Sequence, residues 1–215
     1  MTSRAFDRRQ HPPGATFSTW RAGDGWGIRR IDWPQPKGAA VRGSLLFVGG
    51  RGDFIEKYLE ALAHWHDGGW NVTSFDWRGQ GDSRGEIVGG HLESFDPLVE
   101  DLGALVEGWV EASPGPHALV AHSMGGHLAL RLLTEGTPRV DALVLVAPMI
   151  GINAAPVPPW LGRNVARLLT LLGLRKRRAW KSNERPAPPE RSRQTYLTSD
   201  PDRYADEVWW HRQQP

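Results

Sequence analysis

Cysteine is absent from this chain of 215 residues. That absence excludes disulfides, thiolate metal sites and a cysteine nucleophile together, and it fits a reducing compartment such as the cytoplasm. Long apolar runs are missing as well: no stretch reaches eighteen residues, so no bilayer-spanning helix is expected. The N-terminal stretch "MTSRAFDRRQHPPGATFSTW" has no apolar h-region, so a secretory leader is not expected there. Global charge is also scarce. The formal net charge is only +2, so no overall field points to nucleic acid, although the charge is unevenly spread. The P-loop pattern and the G-x-G-x-x-G dinucleotide fingerprint do not occur, and no internal repeat is visible.

The composition that remains, 40% hydrophobic and 23% charged, suits one good-sized globular domain or a domain with an insert. Eleven tryptophans are many for this length, but they are scattered, as core and rim residues would be. Residues 1–15 are polar and proline-rich and read as a flexible N-terminal tail. Residues 16–34 read as a hairpin around Gly23-Asp24-Gly25. "GSLLFVGG" (43–50) has the continuous apolar character of a buried parallel strand, and a helical pattern follows it to a Gly pair. Further strands are expected at 70–77, 117–123 and 140–148, with helices at 93–112 and after Ser123. This alternation predicts an α/β core over residues 16–150: a mostly parallel sheet with helices on both faces. After Pro148 the texture turns to proline and arginine. Residues 151–215 read as a helical cap or insertion, with an amphipathic helix around 160–174.

"LVAHSMGGHLAL" (119–130) drives an apolar strand into a tight turn, with Ser123 at its apex and a helix beyond. Such a bend projects a hydroxyl off the sheet edge beside the free amides of a helix N-terminus, as nucleophilic acyl transfer needs. A plain serine N-cap is the simpler alternative. The flanks must be small; they are Ala121 and Gly125. A second amide donor would have to come from another loop, and the glycine-rich turn at 49, 50 and 52 is the candidate.

Taken together and in order, "FVGGRGDFIEKY", "FDWRGQGDS" and "AHSMGG" resemble the α/β-hydrolase superfamily, and within it the lysophospholipase and monoacylglycerol-lipase group. The resemblance covers roughly residues 40–150 and implies a partial α/β-hydrolase fold. It makes Ser123 the nucleophile, with the backbone N–H groups of Met124 and Arg51 as the oxyanion hole. Gly50, Gly52 and His122 would border the substrate, with the His122 ring turned away from the serine. Asp76, Arg78, Gly79 and Gly81 would shape a supporting loop, and Tyr58 would orient the turn. Gly49 stands where the group usually has histidine. The substrate implied is a small amphiphilic ester such as a lysophospholipid or monoacylglycerol, with no metal or cofactor. The superfamily also hosts peptidases, dehalogenases and epoxide hydrolases, and a serine at the elbow disfavours the last two.

An activated serine needs a histidine base and a carboxylate. After Ser123 the only histidines are His127, on the elbow helix, and His211, which follows Asp200, Asp202 and Asp206 too closely for the group's spacing. Neither fits, so the triad acid and base are expected to be missing and the chain to be C-terminally truncated. Little activity follows from that, and a non-catalytic remnant that binds lipid or a partner is the alternative. A truncated sheet would also leave an exposed edge after 140–148. Finally, seven basic residues and no acidic one lie between Trp160 and Lys181. With Val165, Leu168, Leu169 and Leu172 on one helical face, the Arg163–Lys181 segment could touch an anionic membrane surface from the cytoplasmic side.

Overall fold

The computed structural model describes residues 6–85, 92–136, 139–151, 158–174 and 198–213. Strands β1 (Thr16–Arg21) and β2 (Gly27–Trp33) form the expected hairpin, in register from Thr16 opposite Asp32 to Arg21 opposite Gly27. Next come β3 (Gly43–Val48), β4 (Trp70–Phe75), β5 (His117–His122) and β6 (Ala142–Val146). They make one six-stranded sheet in the order β1-β2-β4-β3-β5-β6. β3 runs parallel to both β4 and β5, and β5 parallel to β6, while β2 meets β4 antiparallel. All six residues of β3 are buried, which is why its sequence lacks the two-residue alternation of a half-exposed strand.

The order contains one reversal: the chain leaves β3 first to β4 on one side, then returns to β5 on the other. In open parallel sheets the loops diverge at such a point and leave a crevice at the strands' C-terminal ends. Here that point lies between the turn after β3 and the turn after β5. These are the two turns expected to carry the chemistry.

Helices cover both faces. Helices α2 (Asp96–Ala112) and α3 (Met124–Glu135) bury Leu98, Leu102, Leu105, Trp109 and Leu128 against Leu46, Val48, Leu119 and Ala121. On the other face, α1 (Leu59–Asp67) packs Leu59 and Leu62 near Leu45, Phe47, Ala118 and Val120. Alternate residues of β5 thus feed opposite cores. The helix expected directly after the glycine-rich turn starts instead as a 3-10 turn, Ile55–Tyr58, before α1 begins. At β6, Leu143 and Leu145 pack on the α2–α3 side, whereas Val144 and Val146 on the opposite side remain 48% and 44% exposed. Among the described residues β6 ends the sheet.

The chain divides into two compact units, Met1–Met149 with Ala205–Pro215, and Ile150–Tyr204. The second contains α4 (Pro159–Leu171), whose exposed apolar residues include Trp160, Leu168 and Leu171. Among the described residues no helix is long and apolar enough to cross a membrane.

Two expectations about the chain's ends need correction. Residues 6–15 are not a loose tail, and the end of helix α5 (Pro201–Gln213) belongs with the core unit rather than with a cap. Asp206 takes both Arg8 and Arg9, at 2.6 and 2.7 Å. The Trp210 indole donates to the Arg8 carbonyl at 2.8 Å, and its ring stacks 5.2 Å from His11. His11 in turn reaches the buried Glu56 at 3.0 Å. The physical reason is amphipathic: α5 presents Glu207 and Trp210 inward, and the N-terminal segment covers Trp210.

Limited trypsinolysis tests this strap. Cleavage after Arg8 and Arg9 is expected to be slow in the intact chain. In Trp210→Ala it should be roughly tenfold faster, as local opening eases by about 1.4 kcal/mol. Equal rates would mean that the segment is free.

Candidate active site

The elbow is built from β5 and α3. Ser123 adopts φ 52° and ψ −114°, a conformation that non-glycine residues rarely hold. It persists because both backbone groups are clamped by the chain after β6: the Ser123 N–H donates to Val146 O at 3.0 Å, and Met149 N–H donates to Ser123 O at 2.8 Å. The serine stands at the N-cap position of α3, yet its side chain makes no capping bond. The simple N-cap reading therefore fails. Among the described residues the Oγ has no hydrogen-bond partner, and the hydroxyl is spare.

Close approach explains the small flanks. A Cβ on Gly125 would sit 2.6 Å from Gly49 O and 2.9 Å from Val48 O, so the first turn of α3 lies directly on the backbone leaving β3. Likewise a Cβ on Gly50 would meet the Ser123 Cβ at 3.0 Å and the His122 Nδ1 at 3.3 Å. The glycine-rich turn and the serine thus lie close enough that no side chain fits between them at position 50, as the sheet order leads one to expect.

Within that turn the amides have different fates. The Gly50 N–H donates to Asp53 Oδ2 at 2.7 Å, and the Gly52 N–H donates to the Gln80 side-chain oxygen. Neither the Arg51 N–H between them nor the Met124 N–H has a protein acceptor among the described residues. Gly49, in the histidine position of the resembling group, has its carbonyl held by the Trp77 indole at 2.8 Å. Trp77 thus supplies support that the missing histidine cannot. Asp76 locks the neighbouring loop: it accepts the N–H groups of Ile55 at 2.8 Å and Asp82 at 2.9 Å, and Arg29 Nε at 2.7 Å. Arg78 forks onto Asp101, both bonds at 2.8 Å, which fastens this loop to α2.

Asp53 was not singled out in the sequence, yet it is the hub. Its carboxylate is buried and accepts Gly50 N–H, the Tyr58 hydroxyl and, at 2.6 Å, the Lys57 ammonium. Burial alone would raise its pKa, but hydrogen bonds from His122, Lys57 and Tyr58 and the Lys57 charge hold it well below the usual carboxylate range. Burial and the Asp53 charge push the Tyr58 hydroxyl far above its ordinary value, so it stays a donor. Tyr58 has one proton and gives it to Asp53. The 2.9 Å contact between Tyr58 Oη and His122 Nδ1 is then donated by the imidazole Nδ1–H, whose nitrogen also lies 3.5 Å from Asp53 Oδ2. The His122 ring lies edge-on to Tyr58, with ring centroids 5.9 Å apart. A signal for this cluster was available in "GGRGDFIEKY", where an acid follows the turn and a tyrosine lies five residues on.

The other acid and base candidates lie elsewhere. His127 donates its backbone N–H to Ser123 O at 3.2 Å. His211 stacks edge-on to Phe54 at 4.9 Å and lies 3.9 Å from Glu207, while Asp206 is taken by Arg8 and Arg9. Asp202 sits in the first turn of α5, and Asp200 accepts its N–H at 2.9 Å. Among the described residues no histidine side chain bonds to Ser123. Of the basic segment, Arg163 and Arg167 lie on α4, while Arg175, Lys176, Arg177, Arg178 and Lys181 fall outside the described residues.

A mixed, mostly parallel sheet with a strained serine at the strand-to-helix bend defines an α/β hydrolase. Two solved structures share this fold. One is a thermostable carboxyl esterase from Bacillus coagulans in complex with glycerol, with TM-score 0.65 and 20% identity, covering 92% of this chain and 66% of the other. The other is a soluble variant of the Saccharomyces cerevisiae monoglyceride lipase in complex with a substrate analog, with TM-score 0.56 and 21% identity, covering 80% and 56%. The family model described as serine aminopeptidase, S33, matches residues 39–211, and the chain belongs to that family. It is also similar to lysophospholipase L2 of Escherichia coli K12, at 34% identity over 123 residues, which are 54% of this chain and 35% of the relative. The matched region thus spans about a third of that relative's length.

Neighbouring substitutions should move stability in opposite directions. Ser123→Gly relieves the elbow's backbone strain and is expected to stabilise by about 1 kcal/mol. Gly125→Ala forces a methyl onto two carbonyl oxygens and should cost about 1–3 kcal/mol. Urea unfolding reads both, and a neutral Gly125→Ala would contradict the close approach.

Proposed function

We propose that this protein is a serine hydrolase of carboxylic esters, acting through an acyl-enzyme on Ser123. The observation that carries the reading is the spare hydroxyl of Ser123, held at a strained bend against a turn whose Arg51 amide, like that of Met124, has no protein acceptor. Strain without a structural return at a strand-to-helix turn is what a nucleophile would require.

In the reaction Ser123 Oγ attacks the acyl carbonyl, and its proton passes to a general base. The carbonyl oxygen becomes an oxyanion and accepts hydrogen bonds from Met124 and Arg51 N–H, aided by the N-terminal dipole of α3. The alcohol leaves with a proton, and water then releases the acid and restores the serine. Gly50 and Gly52 keep the turn open to the substrate, and His122 borders it. We place the base and its carboxylate outside the described residues. Without them, amide donors and binding alone leave a residual rate, so we expect little turnover from these 215 residues by themselves.

For the substrate we infer a single-chain amphiphile such as a lysophospholipid or monoacylglycerol. The names of the Escherichia coli relative and the yeast lipase support that class, whereas the family description would equally allow a peptide bond. We further propose that α4 meets anionic lipid. Trp160, Leu168, Leu171 and Leu172 are 63%, 56%, 83% and 63% exposed, with Arg163 and Arg167 on the same short helix.

Two experiments test these readings. A fluorophosphonate should label the chain at Ser123 slowly, and Ser123→Ala should abolish both that labelling and the residual p-nitrophenyl ester cleavage. Absence of labelling would favour a non-catalytic remnant that binds lipid or a partner, and faster cleavage of aminoacyl anilides than of esters would favour a peptidase. In vesicle sedimentation, binding should rise with phosphatidylglycerol content, weaken with salt and drop at least about thirtyfold in Arg163→Glu/Arg167→Glu, since each of the two lost cations is worth about 1 kcal/mol and is replaced by repulsion. Binding indifferent to charge would remove the membrane proposal.

A further inference from the structure

We propose that Asp53 is the positioning residue of this site, fixing the glycine-rich turn so that the Arg51 amide is presented to the nucleophile. The proposal rests on the ester-hydrolase reading above and adds to it a residue that touches no reacting atom.

Peptide planes in a tight turn are set by where their neighbours are anchored. The two amides flanking Arg51 are both anchored to side chains: Gly50 N–H to Asp53 Oδ2 at 2.7 Å, and Gly52 N–H to Gln80. The Arg51 amide between them is left over, and Gly50 lies so near Ser123 that an added Cβ would sit 3.0 Å from the serine's Cβ. Asp53 makes the first anchor strong. It is 6% exposed, so the bond is not diluted by water, and its charge is balanced by Lys57 at 2.6 Å.

The same carboxylate reaches the opposite wall of the site. Oδ2 also accepts the Tyr58 hydroxyl, Tyr58 Oη meets His122 Nδ1 at 2.9 Å, and His122 immediately precedes Ser123. One buried anion therefore spans the turn after β3 and the end of β5, the two elements that must keep their spacing for an oxyanion to be held. A carboxylate has acceptor sites enough for these donors, and a neutral amide at this position retains one oxygen. Such an arrangement raises the rate through preorganised amides, not through a proton transfer of its own.

The test compares Asp53→Ala and Asp53→Asn with the unmodified chain by two readouts: hydrogen exchange at the Gly50 amide, and the second-order rate of Ser123 labelling by a fluorophosphonate. In Asp53→Ala, Gly50 protection should fall at least about tenfold and labelling about a hundredfold, the loss typical of one oxyanion donor. Asp53→Asn keeps an acceptor for Gly50 N–H and should restore protection, with labelling within about tenfold of the unmodified rate. Unchanged Gly50 protection in Asp53→Ala, or equal damage in both variants, overturns the proposal. Should the alanine variant not fold, Asp53→Asn decides alone: retained Gly50 protection supports the anchor and its loss overturns it. If the unmodified chain is not labelled at Ser123, the hydrolase reading falls, while the exchange measurement still judges the anchor.

Discussion

The site depends on one close approach. The backbone leaving β3 and the first turn of α3 lie so near each other that a methyl on Gly125 would strike two carbonyl oxygens, those of Val48 and Gly49. That contact follows from topology. β3 and β5 are neighbours, and the chain leaves them in opposite directions in the strand order, to β4 and to β6, so their following turns face one crevice. A hydroxyl at the end of β5 then faces the glycine-rich turn at 49–52, while the chain after β6 clamps the serine's backbone from the other side. Everything chemical about the site is a consequence of which groups that turn leaves unbonded.

What holds the turn is a set of buried polar anchors rather than apolar packing alone. The Trp77 indole takes Gly49 O, Asp53 takes Gly50 N–H, and Gln80 takes Gly52 N–H. Behind them, Asp76 and Arg78 tie the loop after β4 to β2, to the start of the 3-10 turn and to α2. No buried side-chain polar atom among the described residues lacks a partner. A half-satisfied network of this kind would be worse than an apolar core, whereas a complete one specifies a single geometry. Ser123 stands outside this network: it is half-buried, its oxygen is spare and its backbone is strained.

Much of this could be read in the residues. Continuous apolar runs marked the inner strands, Gly-Asp-Gly marked the hairpin, and Ala-His-Ser-Met-Gly-Gly marked the elbow, because each signal is local. What escaped is what depends on distant partners. Residues 6–15 looked free because their anchors, Asp206 and Trp210, come from the other end of the sequence. Asp53 looked like one more charge in a loop, since its role requires Tyr58 to fold back over it and His122 to arrive from β5. The 3-10 start of the helix after the turn was also hidden, because the Asp76 bond to Ile55 N–H is made across the sheet edge. Family membership confers the fold, and the activity of a longer relative does not pass automatically to a chain that matches about a third of it.

The most direct measurement is a crystal structure of the chain with an alkylboronic acid at Ser123. The account predicts a tetrahedral boron on Oγ, with one boronate oxygen about 2.7–3.1 Å from both the Arg51 and Met124 nitrogens. An adduct whose oxygens face away from those amides, or a serine oxygen turned inward and unmodified, would contradict it.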